Sequence, residues 1–346
     1  MRDFKNILIV RTDRMGDVVL TTASIKILRQ AYPNAKISII VSPGTKDLVE
    51  GNPYLDEVLI DDRKIENAGF LGFLKLIQKL RKKKFDLAIV FHTKKRTNLI
   101  CFLAGIPYRI GYKNNKFGFL LTHPIKDIRH LGIKHESEYC LDVLKHLDIE
   151  TENKVELFLP THPKSEQWLH QFFKEKNISD KDRLVVIHAG ASDPSRRWPE
   201  HYYADLIRHL IEKYNSKVVL IGDKSMQSIS DKILSLVSGP VFDLSGQTTM
   251  SHLVSLIRRC DLLISNDSGP VHLASGVSAP VVAIFTRNQP GINPERWRPL
   301  GPKIRVVSVP RNTEISFAKA KEMDAKYLEM IRMEEVLEAV DAIFKL

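Results

Sequence analysis

At 346 residues, with 43% hydrophobic and 27% charged residues, the chain has the length of two globular domains and the composition of a water-soluble one. Its first apolar run, Ile7-Leu8-Ile9-Val10, is too short for a signal peptide or a membrane span, which predicts a cytoplasmic protein. Three scattered cysteines without a CxxC pair, and histidines without an HExxH pattern, speak against a disulfide framework and against these zinc motifs. The net charge of +11 is uneven: residues 1–150 hold 26 Lys and Arg against 17 Asp and Glu, a surplus of 9, and the remainder holds 26 against 24, a surplus of 2. The first part is therefore expected to meet a polyanion, whether nucleic acid, an anionic membrane surface or a phosphorylated glycan. Arg81 to Lys84 and Lys94-Lys95-Arg96 carry much of that charge.

In chain order, runs rich in Ile, Val and Leu predict strands at 6–11, 36–41, 57–60 and 86–91, with helical spacing at 18–31 and 69–84. Leu157 to Pro163, with two prolines, reads as a linker. A second alternating block follows, with strands at 184–188, 217–221, 261–265 and 280–285 and helices near 200–214, 225–237 and 250–259. Both halves read as doubly wound α/β domains, whose ligands bind at the carboxyl ends of the strands. Neither G-x-G-x-x-G after a first strand nor G-x-x-x-x-G-K-[ST] nor G-x-S-x-G occurs, so nicotinamide, P-loop and serine hydrolase chemistries are disfavoured.

The strand-end loops carry the polar residues. After the first strand, Arg11-Thr12-Asp13-Arg14-Met15-Gly16-Asp17 leads into a helix, and two roles are open to Asp17: helix cap or general base, with Asp13 as the competing carboxylate. The second domain's first strand runs into Ala189-Gly190-Ala191, where small residues admit a ligand to the backbone, and on to Arg196 and Arg197, whose guanidinium groups suit phosphate. Trp198 is expected to anchor that loop in the core. Gly222 ends a strand, and Thr248 or Thr249 caps the helix that follows Leu244-Ser245-Gly246-Gln247. Asn266-Asp267-Ser268-Gly269-Pro270-Val271-His272 joins a strand to a helix that Asp267 or Ser268 caps, an arrangement that can hold a diphosphate on backbone N–H groups. The segment is also compatible with an ordinary capped helix in which His272 fills the core.

These segments, in this order, resemble the ADP-heptose:lipopolysaccharide heptosyltransferase family (glycosyltransferase family 9) over nearly the whole chain, and Leu103 to Gly111 looks more like its heptosyltransferase II branch. The resemblance implies a GT-B architecture, with two Rossmann-like domains facing a central cleft. An acceptor-binding domain would occupy 1–160, a donor-binding domain 161–330, and a last helix in 331–346 would pack back toward the first domain. It implies inverting transfer of L-glycero-D-manno-heptose from ADP-heptose to a hydroxyl of the lipopolysaccharide inner core, with Asp17 as base, no cofactor and no obligatory metal. Arg196, Arg197, Gly190, Ala191, Asp267, Ser268, Gly269, His272, Gly222 and Thr248 would hold the donor, and Arg14, Lys94, Lys95 and Arg96 the anionic acceptor. Peripheral association with the inner membrane face is expected, and nucleic acid is not, because the basic runs lack interleaved aromatics. Met226 and Gln227 stand where some members have an acidic residue for the adenosine ribose, which leaves another nucleotide sugar or acceptor open, as does a noncatalytic nucleotide- or sugar-binding role.

Overall fold

The computed structural model describes residues 2–151, 155–311 and 329–345. It divides into two compact units, Met1–Pro160 and Thr161–Leu346. The first contains β1 (Asn6–Val10), α1 (Met15–Ala31), β2 (Lys36–Val41), β3 (Glu57–Ile60), α2 (Gly69–Lys83), β4 (Leu87–Val90), α3 (Lys95–Leu103), β5 (Tyr108–Lys113), β6 (His123–Lys126) and α4 (Glu136–Lys145). Its six strands are parallel in the order β3-β2-β1-β4-β5-β6.

The second unit opens with α5 (Pro163–Glu175), whose first residue is a proline where no intrahelical N–H is needed. Then come β7 (Arg183–His188), α6 (Glu200–Tyr214), β8 (Ser216–Leu220), α7 (Gln227–Leu234), β9 (Val241–Asp243), α8 (Met250–Arg259), β10 (Leu262–Asn266), α9 (Gly269–Val277), β11 (Val281–Phe285), α10 (Pro294–Trp297) and β12 (Ile304–Ser308). The last described helix is α11 (Met333–Phe344). The sheet runs β12-β11-β10-β7-β8-β9, again all parallel.

Numbered within its own unit, each sheet has the Rossmann strand order 3-2-1-4-5-6. The order reverses between β1 and β4 in the first unit and between β7 and β10 in the second. Central strands such as β1, β4 and β11 are covered on both faces, which explains their apolar runs. The edge strands β6, β9 and β12 are partly exposed and carry mixed residues, so periodicity does not reveal them. The last helix seats Val336, Ala339, Val340 and Ile343 in the second unit's core, on β11, β12 and α6.

Candidate active site

In the first unit, Val10 pairs with Val90, so the loops that leave β1 and β4 emerge side by side at the reversal point. Arg11 is buried between them. Its Nη2 lies 2.8 Å from Asp17 Oδ1 and 3.3 Å from Glu136 Oε1, its Nε is 3.3 Å from Asp13 Oδ1, and Nη1 donates to the Phe91 carbonyl. Burial opposes its charge, but the fields of Asp13, Asp17 and Glu136 more than compensate and its pKa is raised. Burial also raises the pKa of Asp13, against the pull of Arg11. Thr12 Oγ1 lies 3.1 Å from His92 Nδ1, and burial, with Arg11 and Lys94 nearby, lowers that imidazole to about 3, so it is neutral at pH 7.

Asp17 sits inside the first turn of α1, three residues past Arg14, because the helix starts at Met15 and not at Val18. Arg14 holds the N-cap position without a side-chain cap, so Asp17 is oriented by Arg11 and does not act as the cap. Lys94 and Lys95 are exposed at the start of α3. The Lys116 ammonium, followed by desolvation, lowers the pKa of Lys94, and Arg14 acts in the same direction, which marks a local excess of positive charge that an anion would relieve. Arg96 does not join them. Its guanidinium makes two hydrogen bonds to the fully buried Asp61 carboxylate, at 2.9 and 2.7 Å, and reaches the Asn67 carbonyl, so it is tied into the fold while Lys94 and Lys95 stand exposed.

In the second unit the register places Ser265 beside His188, and the loops after β7 and β10 meet. Asn266, fully buried, locks them: its Oδ1 accepts from the Trp198 N–H (3.0 Å) and the Tyr203 hydroxyl (2.9 Å), and its Nδ2 donates to the Ala189 carbonyl (2.7 Å). Trp198 is buried and donates through Nε1 to the Ile331 carbonyl, so it anchors the loop as expected. Arg197 Nε braces the loop on the Ala191 carbonyl, at 2.9 Å. Gly190 passes so close to Met226 that a Cβ would stand 2.7 Å from the Met226 sulfur, and Gly222 lies under the same side chain.

Ser268 occupies the N-cap position of α9, yet its hydroxyl is engaged by His188 Nδ1 (3.0 Å), Ser265 Oγ (3.1 Å) and the Asn266 carbonyl. The Ser268 side chain thus makes no cap hydrogen bond, which leaves the N-terminal end of the helix, with its partial positive charge, at the strand edge. Arg196 lies against it, Nη1 donating to the Asp267 carbonyl at 3.0 Å and Nη2 to Ser192 Oγ at 2.7 Å. A second guanidinium, Arg287, comes from the loop after β11 and reaches Asp193 Oδ2 at 3.1 Å. Burial, and then Arg196, lower the Arg287 pKa. The Nε of each arginine is buried and makes no hydrogen bond among the described residues. Burial raises the pKa of Asp267, while the two arginines oppose the rise. Such a pair, gathered at an uncapped helix start, is electrostatically matched to a dianionic group.

The sequence model of "Glycosyltransferase family 9 (heptosyltransferase)" matches residues 73–327. The chain belongs to glycosyltransferase family 9. Lipopolysaccharide heptosyltransferase 2 of Escherichia coli is 26% identical over 318 residues, 87% of each chain. Among solved structures, a family 9 glycosyltransferase from Veillonella parvula superposes with a TM-score of 0.90 at 24% identity, covering 100% of this chain and 98% of its own. The E. coli ADP-heptose lps heptosyltransferase II gives 0.79 at 22%, covering 99% and 98%. The fold of this glycosyltransferase is thus the α/β GT-B class of those neighbours.

Within this family 9 enzyme, Gly190, Ala191, Arg196, Asp267, Ser268 and Gly269 are gathered by the loops after β7 and β10. Gly222 joins the next loop, its carbonyl accepting the Gly246 N–H at 2.9 Å. His272 lies one turn into α9, buried, with its ring 6.1 Å from that of Trp297. Thr248 is half-buried beside the true cap, Thr249, which accepts the His252 N–H. Sequence reading missed His188 and Arg287. His188 looks like the end of an apolar strand, and burial lowers its pKa to about 4, so it presents a neutral ring. Arg287 stands alone after Phe285-Thr286, and its one available signal was its place in a strand-end loop.

Proposed function

We propose that this glycosyltransferase moves a heptose from a nucleotide diphosphate donor, ADP-heptose, to a hydroxyl of the lipopolysaccharide inner core, with inversion at the anomeric carbon. The observation that carries the reading is the pairing of Arg196 and Arg287 at the uncapped start of α9. The two guanidiniums and the first-turn N–H groups hold the donor diphosphate and stabilise the negative charge that builds on it as the sugar leaves. Asp17, oriented by Arg11, accepts the proton of the attacking acceptor hydroxyl. Lys94, Lys95 and Arg14 meet the anionic groups of the acceptor. Family membership and the heptosyltransferase names of the relatives support the choice of sugar and acceptor.

Two residues near the loop glycines bear on the nucleotide. Met226 is packed over Gly190 and Gly222, and Gln227 donates to Asp243 at 2.7 Å, so neither offers a carboxylate to a ribose. Purified protein incubated with ADP-heptose and heptose-free inner-core acceptors, with product mass read by mass spectrometry and anomeric configuration by NMR, tests the proposal. A panel of ADP-, GDP- and UDP-sugars accompanies it. Transfer from another donor in preference to ADP-heptose, or no transfer at all, would overturn it. Placement on the cytoplasmic membrane face belongs to the same proposal; among the described residues no helix is long and apolar enough to cross a membrane.

A further inference from the structure

Three of the most exposed large apolar side chains of the chain lie within seven residues: Ile65 is 78%, Phe70 73% and Leu71 74% exposed. They stand on the loop after β3 and the first turn of α2. This is a built surface. Asn67 Oδ1 accepts the Asp62 N–H, Asn67 N–H donates to the Asp62 carbonyl, and the loop lies so tightly on the helix that a Cβ at Gly72 would come within 2.6 Å of the Asn67 backbone. The opposite face of α2 buries Leu76, Ile77 and Leu80, which leaves Phe70 and Leu71 on the outside.

The charge around these side chains is predominantly positive. Residues 63–84 contain eight Lys and Arg against one carboxylate, Glu66. Three of the eight are engaged within the first unit: Arg63 with Asp61 and Thr12, Arg81 with the Leu103 carbonyl, and Lys83 with Glu57. Lys64, Lys75, Lys79, Lys82 and Lys84 are exposed and pair with no carboxylate among the described residues. Leu71, Lys75, Lys79 and Lys82 follow one another along one side of the helix.

We infer that this surface docks on an anionic phospholipid bilayer, with Ile65, Phe70 and Leu71 entering the interface and the five lysines facing the headgroups. Apolar side chains beside a basic helix face are the two elements such adsorption uses. A second copy of the chain is disfavoured as the occupant, since a twofold contact would set the lysines against themselves. The surface adjoins the candidate catalytic loop, for Arg63 donates to Thr12 Oγ1 at 3.0 Å. Docking would hold that strand edge at the bilayer. The inference deepens the proposed function by naming its membrane-facing surface, but its flotation and emission readouts need neither donor nor acceptor.

The full chain is floated with vesicles of phosphatidylcholine alone or mixed with phosphatidylglycerol. Wild-type protein should float with the mixed vesicles and not with the neutral ones. Lys75→Gln/Lys79→Gln/Lys82→Gln should weaken binding about fivefold per lysine, on the order of 100-fold together. Phe70→Ser/Leu71→Ser should weaken it as well, while turnover on a deacylated, water-soluble acceptor stays unchanged and serves as the folding control. A Phe70→Trp variant should show a blue shift of the new indole's emission on mixed vesicles only. Equal flotation of wild type and both multiple variants, or flotation without an emission shift, would overturn the inference. So would dissociation of an oligomer by the Phe70/Leu71 variant, which would assign the surface to a second copy, or loss of turnover on the soluble acceptor, which would assign it to the acceptor site.

Discussion

Replacing Arg287 by glutamine separates a ligand-binding guanidinium from a structural one. In the free protein, Arg287 pairs with Asp193, whose side chain is 43% exposed, and an ion pair of that exposure contributes about 0–1 kcal/mol. Against this stands the proximity of Arg196, which, after burial, lowers the Arg287 pKa. Loss of the charge should therefore change the stability of the free protein by less than about 1 kcal/mol. A bound diphosphate reverses the balance, because it turns two repelling cations into a clamp. A hydrogen bond to a charged group contributes about 1.5–3 kcal/mol, so ADP affinity should fall by about 10- to 150-fold. Adenosine affinity should hardly change. Calorimetric titration with ADP and adenosine, beside urea unfolding of the free proteins, measures all three quantities. Equal losses for both ligands would show that Arg287 only supports its loop, and a free-protein destabilisation of several kcal/mol with normal ADP affinity would make it a structural ion-pair partner.

Asp17→Asn should lower turnover on the order of 100-fold while donor affinity stays within a few-fold, measured by product formation and calorimetry; near-normal turnover would move the base to Asp13. Arg96→Ala should destabilise the protein by about 1.5–3 kcal/mol in urea unfolding, because it removes two charged hydrogen bonds from the buried Asp61 carboxylate and leaves it Arg63 as its cationic partner. Lys94→Gln/Lys95→Gln should instead leave stability unchanged, raise the acceptor KM and flatten its rise with salt, since exposed charges are screened over about 10 Å at 0.1 M. His188, lowered to about 4 from 6.5, stays neutral in the folded chain while the unfolded chain takes up its proton, so stability should fall as pH drops from 6.5 toward 4. Its share is about 2 kcal/mol between pH 6.5 and 5, and the pH slope of unfolding in His188→Asn should be shallower by that amount; an unchanged slope would refute the assignment.

The amino-acid sequence by itself determined the alternating α/β plan, because central parallel strands such as Ile7 to Val10 and Val281 to Phe285 must be apolar on both faces and stand out as runs. It also marked the strand-end loops, since Gly190 and the Asp267-Ser268-Gly269 turn are residue types that a close backbone approach and a helix start require. The partly exposed strands β9 and β12 escaped, having no such pattern to display. Which charges are tied into the fold and which are gathered together was decided only in three dimensions. Arg96 is chemically equal to its neighbours Lys94 and Lys95 as a cation, yet Asp61, thirty-five residues away in the chain, claims it. Arg287 and Arg196 are ninety-one positions apart, and only the placement of β11 two strands from β7 brings both to the start of α9. Electrostatic fields act through space, so the partners that set a charged side chain's role are fixed by sheet order and not by chain order.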